Sequence, residues 1–152
     1  MVDDSNATAF NRDFWVWGED ENEPRLLHAM FRVKDFEESL RFYVDTMGMK
    51  VLDRFDIESR RATGLFIGYG NYRGSALIEL TQKWDVKEYA HGEAFGHVAI
   101  GVPDLPGMAK RIESAGYEIT DHPKVLMLGG PMVAFVKDPD GFFIELIQIQ
   151  KG

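Results

Sequence analysis

Cysteine is absent from the 152 residues, which excludes disulfides, cysteine zinc fingers, iron–sulfur clusters and thiolate nucleophiles. No run of ~18 apolar residues occurs, so no membrane-spanning helix is expected. The start of the chain is acidic and carries no basic segment followed by an apolar stretch. No secretory signal is therefore expected, and the expected location is the cytoplasm. Basic runs are also missing, and the net charge is −8. Such a chain repels phosphate backbones, which argues against nucleic acid as a partner. What remains is an ordinary globular balance, 45% apolar and 28% charged. The length suits one domain or two halves that share one.

The negative charge is concentrated at one end. Residues 1–24 hold seven acids and one base, Arg12, so residues 25–152 are nearly neutral at −2. This acidic extension is polar except for Phe14, Trp15, Val16 and Trp17, and it closes at Pro24. It reads as a terminal tail whose aromatic knot packs on the body, with a lid or a dimer contact as the alternatives. From Arg25 onward the chain repeats itself. LLHAMFRV at 26–33 is matched by GHVAIGV at 96–102, and LIEL at 77–80 by FIEL at 143–146. His28 and His97 are 69 positions apart, Gly48 and Gly116 are 68 apart, and Glu79 and Glu145 are 66 apart. Three landmarks of different type at a nearly constant offset identify a tandem duplication.

Each half reads as βαβββ, an α+β class with curved mixed sheets. The repeats span about 25–82 and 94–150 within one domain over 25–152. In the first, Asp35 with Glu38 has the capping-box pattern. Phe36, Leu40, Tyr43, Val44 and Met47 then form one helical stripe that stops at Gly48. Strands are expected at 49–56, 61–68 and 75–81. In the second half a strand at 94–102 precedes a helix near 105–115, with Leu105, Met108, Ala109 and Ile112 as its stripe. Strands should follow at 117–120, 131–137 and 142–149, the last two joined by a turn at Pro139, Asp140 and Gly141.

Strand parity brings the chemistry forward, because alternate side chains share a face. His28, Met30 and Arg32 lie together, so Arg32 should point into the same cavity as His28. Each half thus places a His on its opening strand and a Glu on its closing strand, inside runs otherwise fit for burial. A single such His or Glu is more often a hydrogen-bonded core residue than a ligand. Recurrence of both at equivalent positions favours a divalent metal held by His28, Glu79, His97 and Glu145 in a cavity formed by the two sheets. An all-N/O set suits zinc, nickel, cobalt, iron or manganese, and leaves positions for water or substrate. His91 and His122 lie in polar loop contexts without repeat partners and read as surface residues.

These residues sit in segments that resemble the lactoylglutathione lyase (glyoxalase I) family of the vicinal oxygen chelate superfamily. The resemblance covers about 26–149 and includes LLHAMFRV, FY-x₄-GM-K at 42–50, LFIGYG, LIELT, FGHVAIGV and AFVKDPDGFFIELI. It implies the ligand set His28, Glu79, His97 and Glu145. The short connection from Glu79 to His97 resembles the bacterial nickel- or cobalt-activated type. It also implies a homodimer with sites between subunits. The implied reaction is isomerisation of the methylglyoxal–glutathione hemithioacetal to S-D-lactoylglutathione, a detoxification that proceeds by proton transfer through an enediolate. By resemblance Glu145 is the principal base and Glu79 stands opposite it. Arg32 and Arg111 match arginines that bind glutathione carboxylates.

Two departures fall on positions that touch glutathione in relatives. Lys83, in TQKWDV, stands where an Asn is usual. The loop at 124–132 lacks a customary Lys, with Lys124 nearby. The competing readings are therefore a related enzyme acting on another thiol adduct, and a non-catalytic small-molecule-binding dimer.

Overall fold

The computed structural model describes residue 20 and residues 22–150, so the knot at Phe14, Trp15, Val16 and Trp17 lies outside the described residues. The chain divides into two compact units, residues 1–89 and 90–152. In the first, β1 (His28–Arg32) leads through α1 (Phe36–Leu40) to β2 (Lys50–Ile57), β3 (Ala62–Gly68) and β4 (Leu77–Lys83). The second repeats this with β5 (His97–Val102), α2 (Leu105–Ser114), β6 (Ile119–Val125), β7 (Met132–Lys137) and β8 (Phe143–Gln148). The spatial orders are β1-β4-β3-β2 and β5-β8-β7-β6. In each sheet the helical crossover carries the chain to the far edge and an antiparallel meander returns it. The last strand then docks parallel on the first. The expected α+β arrangement of two tandem βαβββ modules is what the chain adopts.

Alternation along the inner strands separates core from site. Phe31 and Val33 are buried, as are Ile78 and Leu80, and Ile144 and Leu146, while His28, Glu79 and Glu145 take the other face. The outermost strands β2 and β6 each slip register, between Val51 and Asp53 and around Asp121. Bulges of this kind add local twist and bend to an edge strand.

Helix ends follow the sequence signals. The Asp35 side chain accepts from the backbone N–H of Glu37 at 2.7 Å and of Glu38 at 3.4 Å. Asp104 accepts from that of Gly107 at 3.0 Å. Gly48 (φ +80°) and Gly116 (φ +88°) take the left-handed turn that ends each helical segment.

Three details differ from expectation. The Glu38 side chain does not complete a capping box; it pairs with Arg41 at 2.5 Å, an opposite charge one turn away. The first helix keeps α geometry only to Leu40 and runs as a π-helix over Arg41–Thr46. There the Met47 N–H reaches the Phe42 carbonyl at 2.9 Å, a five-residue span. The buried face rotates to take in Ser39, Phe42 and Thr46, leaving Leu40 and Val44 half-buried. Apolar periodicity misses this because two of the buried residues are polar. Their hydroxyls are satisfied by helix carbonyls, Ser39 to Asp35 at 3.0 Å and Thr46 to Arg41 at 2.9 Å. Finally, β6 continues to Val125, beyond the expected end at 120, so Lys124 and His122 lie on an edge strand. Pro123 is tolerated there because an edge needs no donor on its open side.

Leu80 and Leu146 are both wholly buried, on the two closing strands. Leu80→Ala and Leu146→Ala are each expected to cost about 2–5 kcal/mol, read from urea unfolding curves.

Candidate metal centre

Docking the last strand on the first creates the site in each unit. Met30 pairs with Glu79 and Ala99 with Glu145, so His28 and His97, two residues earlier on the same face, are diagonal neighbours of the carboxylates. His28 Nε2 lies 3.1 Å from Glu79 Oε2, and His97 Nε2 lies 3.1 Å from Glu145 Oε2. The two glutamate side chains are only 17% and 16% exposed. Carboxylates so far removed from water need a cationic or hydrogen-bonding partner, and each has its imidazole. Within each unit the donors form a pair; among the described residues no cluster of three or more such side chains gathers.

Around each pair the sheets repeat themselves again. Phe66 on β3 and Phe135 on β7 stand opposite Glu79 and Glu145. Their rings meet His28 and His97 edge-on, with centroids at 5.2 and 5.3 Å. These phenyl rings were not singled out from the sequence. The signal was present, since 69 positions separate them, the same offset as the two histidines.

The first pair has two further contacts. Thr81 donates its hydroxyl to Glu79 Oε1 at 3.2 Å, and the Tyr72 hydroxyl lies 2.6 Å from Nδ1 of His28. Burial, and then the charge of Glu79, push the Tyr72 phenol up to about 12, so it remains neutral at ordinary pH. Tyr72 has no repeat counterpart and gave no sequence signal.

The donor chemistry fits a divalent first-row ion. Two donors each ~2.1 Å from one ion and at right angles would lie about 3.0 Å apart, close to the spacing in both pairs. An N–H at Nε2 also bridges that distance, so the carboxylates are satisfied in either state.

The remaining candidates are less uniform. Arg32 is exposed on the His28 face, opposite Thr81. Lys83 stands on the Glu79 face but donates to the Arg60 carbonyl at 2.9 Å. Arg111 is exposed on α2, and Lys124 pairs with Asp121 at 2.6 Å. His91 and His122 are exposed as expected; His91 lies over Phe142, with centroids 4.4 Å apart, and His122 faces Glu113 at 3.7 Å. In the second unit a cleft of about 490 Å³ opens beside His97, lined by Phe95, Thr120, Asp121, Phe135 and Phe143.

Two βαβββ modules, each presenting a His–Glu pair beside a phenyl ring, define a duplicated α+β scaffold with one imidazole–carboxylate pair in each half. The chain belongs to the Glyoxalase/Bleomycin resistance protein/Dioxygenase superfamily, whose family model matches residues 25–146. It is 44% identical over 124 residues to a probable lactoylglutathione lyase of Vibrio cholerae, covering 82% of this chain and 90% of that one. It is 41% identical over 128 residues to the lactoylglutathione lyase of Neisseria meningitidis, covering 84% and 93%. Among solved structures, the trypanothione-dependent glyoxalase I of Leishmania major matches with a TM-score of 0.73 at 39% identity, covering 83% of this chain and 87% of that one. Glyoxalase I from Zea mays matches with a TM-score of 0.78 at 37% identity, but this chain spans only 45% of its length.

Next to Lys83 the chain is clasped by the β2–β3 turn. Arg61 donates from Nε and Nη2 to Asp85 at 2.5 and 2.9 Å and lies over Trp84 at 5.5 Å. The bidentate guanidinium bond, then its charge, hold the Asp85 carboxyl below the usual carboxylate range. The pair's contribution is therefore present above the ordinary carboxylate range and lost as pH falls through the lowered value. Carboxyl NMR should find Asp85 titrating below the ordinary aspartate value, and moving up toward it in Arg61→Gln.

Proposed function

We propose that the protein isomerises the hemithioacetal of methylglyoxal and glutathione to S-D-lactoylglutathione, as a methylglyoxal-detoxifying lactoylglutathione lyase. The observation that carries this reading is the pair of His–Glu contacts at 3.1 Å, at equivalent places in both repeats. Support comes from relatives at 41–44% identity that bear that name and are spanned almost fully.

His28, Glu79, His97 and Glu145 would together hold one divalent ion, nickel or cobalt before zinc, iron or manganese. Bound there, the ion supplies Lewis-acid stabilisation of charge developing on the substrate's adjacent oxygens. Each half supplies only two donors. As the family resemblance implies, the proposed active form is a homodimer, with the first-half pair of one subunit joined by the second-half pair of the other.

The chain's own groups do the proton work. Glu145 takes the proton from the hydroxyl-bearing carbon beside the carbonyl. That proton returns to the former carbonyl carbon while the hydroxyl proton passes to the former carbonyl oxygen, so the isomerisation balances. Glu79, opposite it, serves the other substrate enantiomer or the return of the proton. The phenyl rings of Phe66 and Phe135 line the site beside the two imidazoles. Arg32 and Arg111 bind the carboxylates of the glutathione moiety through paired donors, with Lys83 and Lys124 as further contacts. Among the described residues no helix is long and apolar enough to cross a membrane, and the acidic composition suits a cytoplasmic protein with no nucleic-acid partner.

The test is turnover of the preformed hemithioacetal, followed by thioester absorbance. Metal-stripped protein should be inactive and should recover with nickel or cobalt. Metal binding without turnover would send the search to other thiols, with Lys83 and the 124–132 loop as first suspects. Failure to bind metal would favour a binding protein. Glu145→Gln should keep a folded dimer and lose at least about 100-fold in kcat, the usual scale of a missing general base. Full activity in that variant would remove Glu145 from the mechanism.

A further inference from the structure

The duplication makes the two His–Glu pairs alike, and one residue breaks the likeness. Tyr72 lies in the connection from β3 to β4, which takes eight residues, 69–76; the equivalent connection from β7 to β8 takes five, 138–142. The shorter turn closes on itself. Asp138 accepts from the backbone N–H groups of Asp140 at 3.0 Å and Phe142 at 2.8 Å, and Gly141 takes φ +94°. The longer one folds Tyr72 inward until the residue is wholly buried in a cluster with Phe66 and Leu77. Its ring lies 6.0 Å from that of Phe66, which also touches His28.

From this pocket the Tyr72 hydroxyl reaches Nδ1 of His28 at 2.6 Å. Among the described residues no side chain bonds to Nδ1 of His97. The carboxylates differ in the same sense: Thr81 bonds to Glu79, whereas Ile147 stands at the equivalent place beside Glu145. His97 is also the more exposed imidazole, 43% against 30%.

We infer that Tyr72 is a positioning residue: it locks the His28 ring and makes the first His–Glu pair the fixed half of the centre. The chemistry is direct. For Nε2 to offer a lone pair to a metal, the ring proton must sit on Nδ1, and a phenol oxygen is there to accept it. Partners of this kind fix ring orientation and raise the ligand's basicity. The second pair lacks such a brace, which leaves Glu145 the freer carboxylate. This inference rests on the proposed metal reading.

Tyr72→Phe removes one oxygen from a buried ring and keeps its shape. The full chain and the variant are compared by nickel competition against a chromogenic chelator, and by melting of the metal-stripped proteins. Tyr69→Phe, which loses a hydroxyl bonded to the Met47 carbonyl at 2.9 Å, is the control. Nickel affinity is expected to fall ~10–100-fold in Tyr72→Phe, the usual effect of losing a ligand's supporting bond, and to hold in Tyr69→Phe. The melting temperature of stripped Tyr72→Phe should stay near that of the unaltered chain. Equal nickel affinity in Tyr72→Phe and the unaltered chain would overturn the inference. If Tyr72→Phe does not fold, long-range ¹H–¹⁵N spectra of the zinc-loaded unaltered chain decide instead. A slowly exchanging Nδ1 proton on His28 beside a fast one on His97 supports the brace, and equally fast exchange refutes it. An unaltered chain that binds no nickel, cobalt or zinc would show the metal reading itself to be wrong, and this inference would fall with it.

Discussion

The parallel contact between the first and last strand of each sheet is the constraint on which the rest depends. Parallel neighbours cannot be joined by a hairpin, so each module needs its helical crossover and its returning meander. Once β4 lies on β1 and β8 on β5, two side chains far apart in sequence become diagonal neighbours. Register then has no slack. Moving either closing strand by one residue would turn its glutamate into the core and a leucine or isoleucine toward the histidine.

The buried side of the sheets holds that register in place. Ile78, Leu80, Ile144 and Leu146 flank the two glutamates, and their burial fixes which residues face outward. The apolar face and the polar pair are thus one design. The hydrophobic effect sets the register, and the register sets the distance at which the nitrogen and oxygen donors meet. Neither carboxylate is left alone, which keeps its desolvation affordable.

Much of this was legible in the sequence, because duplication doubles every signal. A single His or Glu in a strand says little, but His28 with His97 and Glu79 with Glu145 at nearly one offset locate both pairs. Strand parity supplied their shared face, and Asp35 and Gly48 marked the ends of the first helical segment. What stayed hidden is instructive. Tyr72 occurs once, in a turn, so no period or repeat points to it. The bond from the Lys83 ammonium group to the Arg60 carbonyl is likewise a local contact that spacing does not encode. Ser39 and Thr46 are buried because helix carbonyls absorb their hydroxyls, and a hydropathy pattern counts them as polar.

The π-helix after α1 has a consequence for how this chain can vary. A π turn holds one residue more than the α turn it replaces, so Arg41–Thr46 behaves as an absorbed insertion. Removing one residue there would restore α winding and leave the residues beyond it facing as they do now. Taken from an exposed position, the loss would leave Phe42, Tyr43 and Met47 buried. Length in this crossover can therefore change by one residue where a wholly α-helical crossover would turn its buried face by about 100°. A sequence that shortens it by one can close up without repacking the first module.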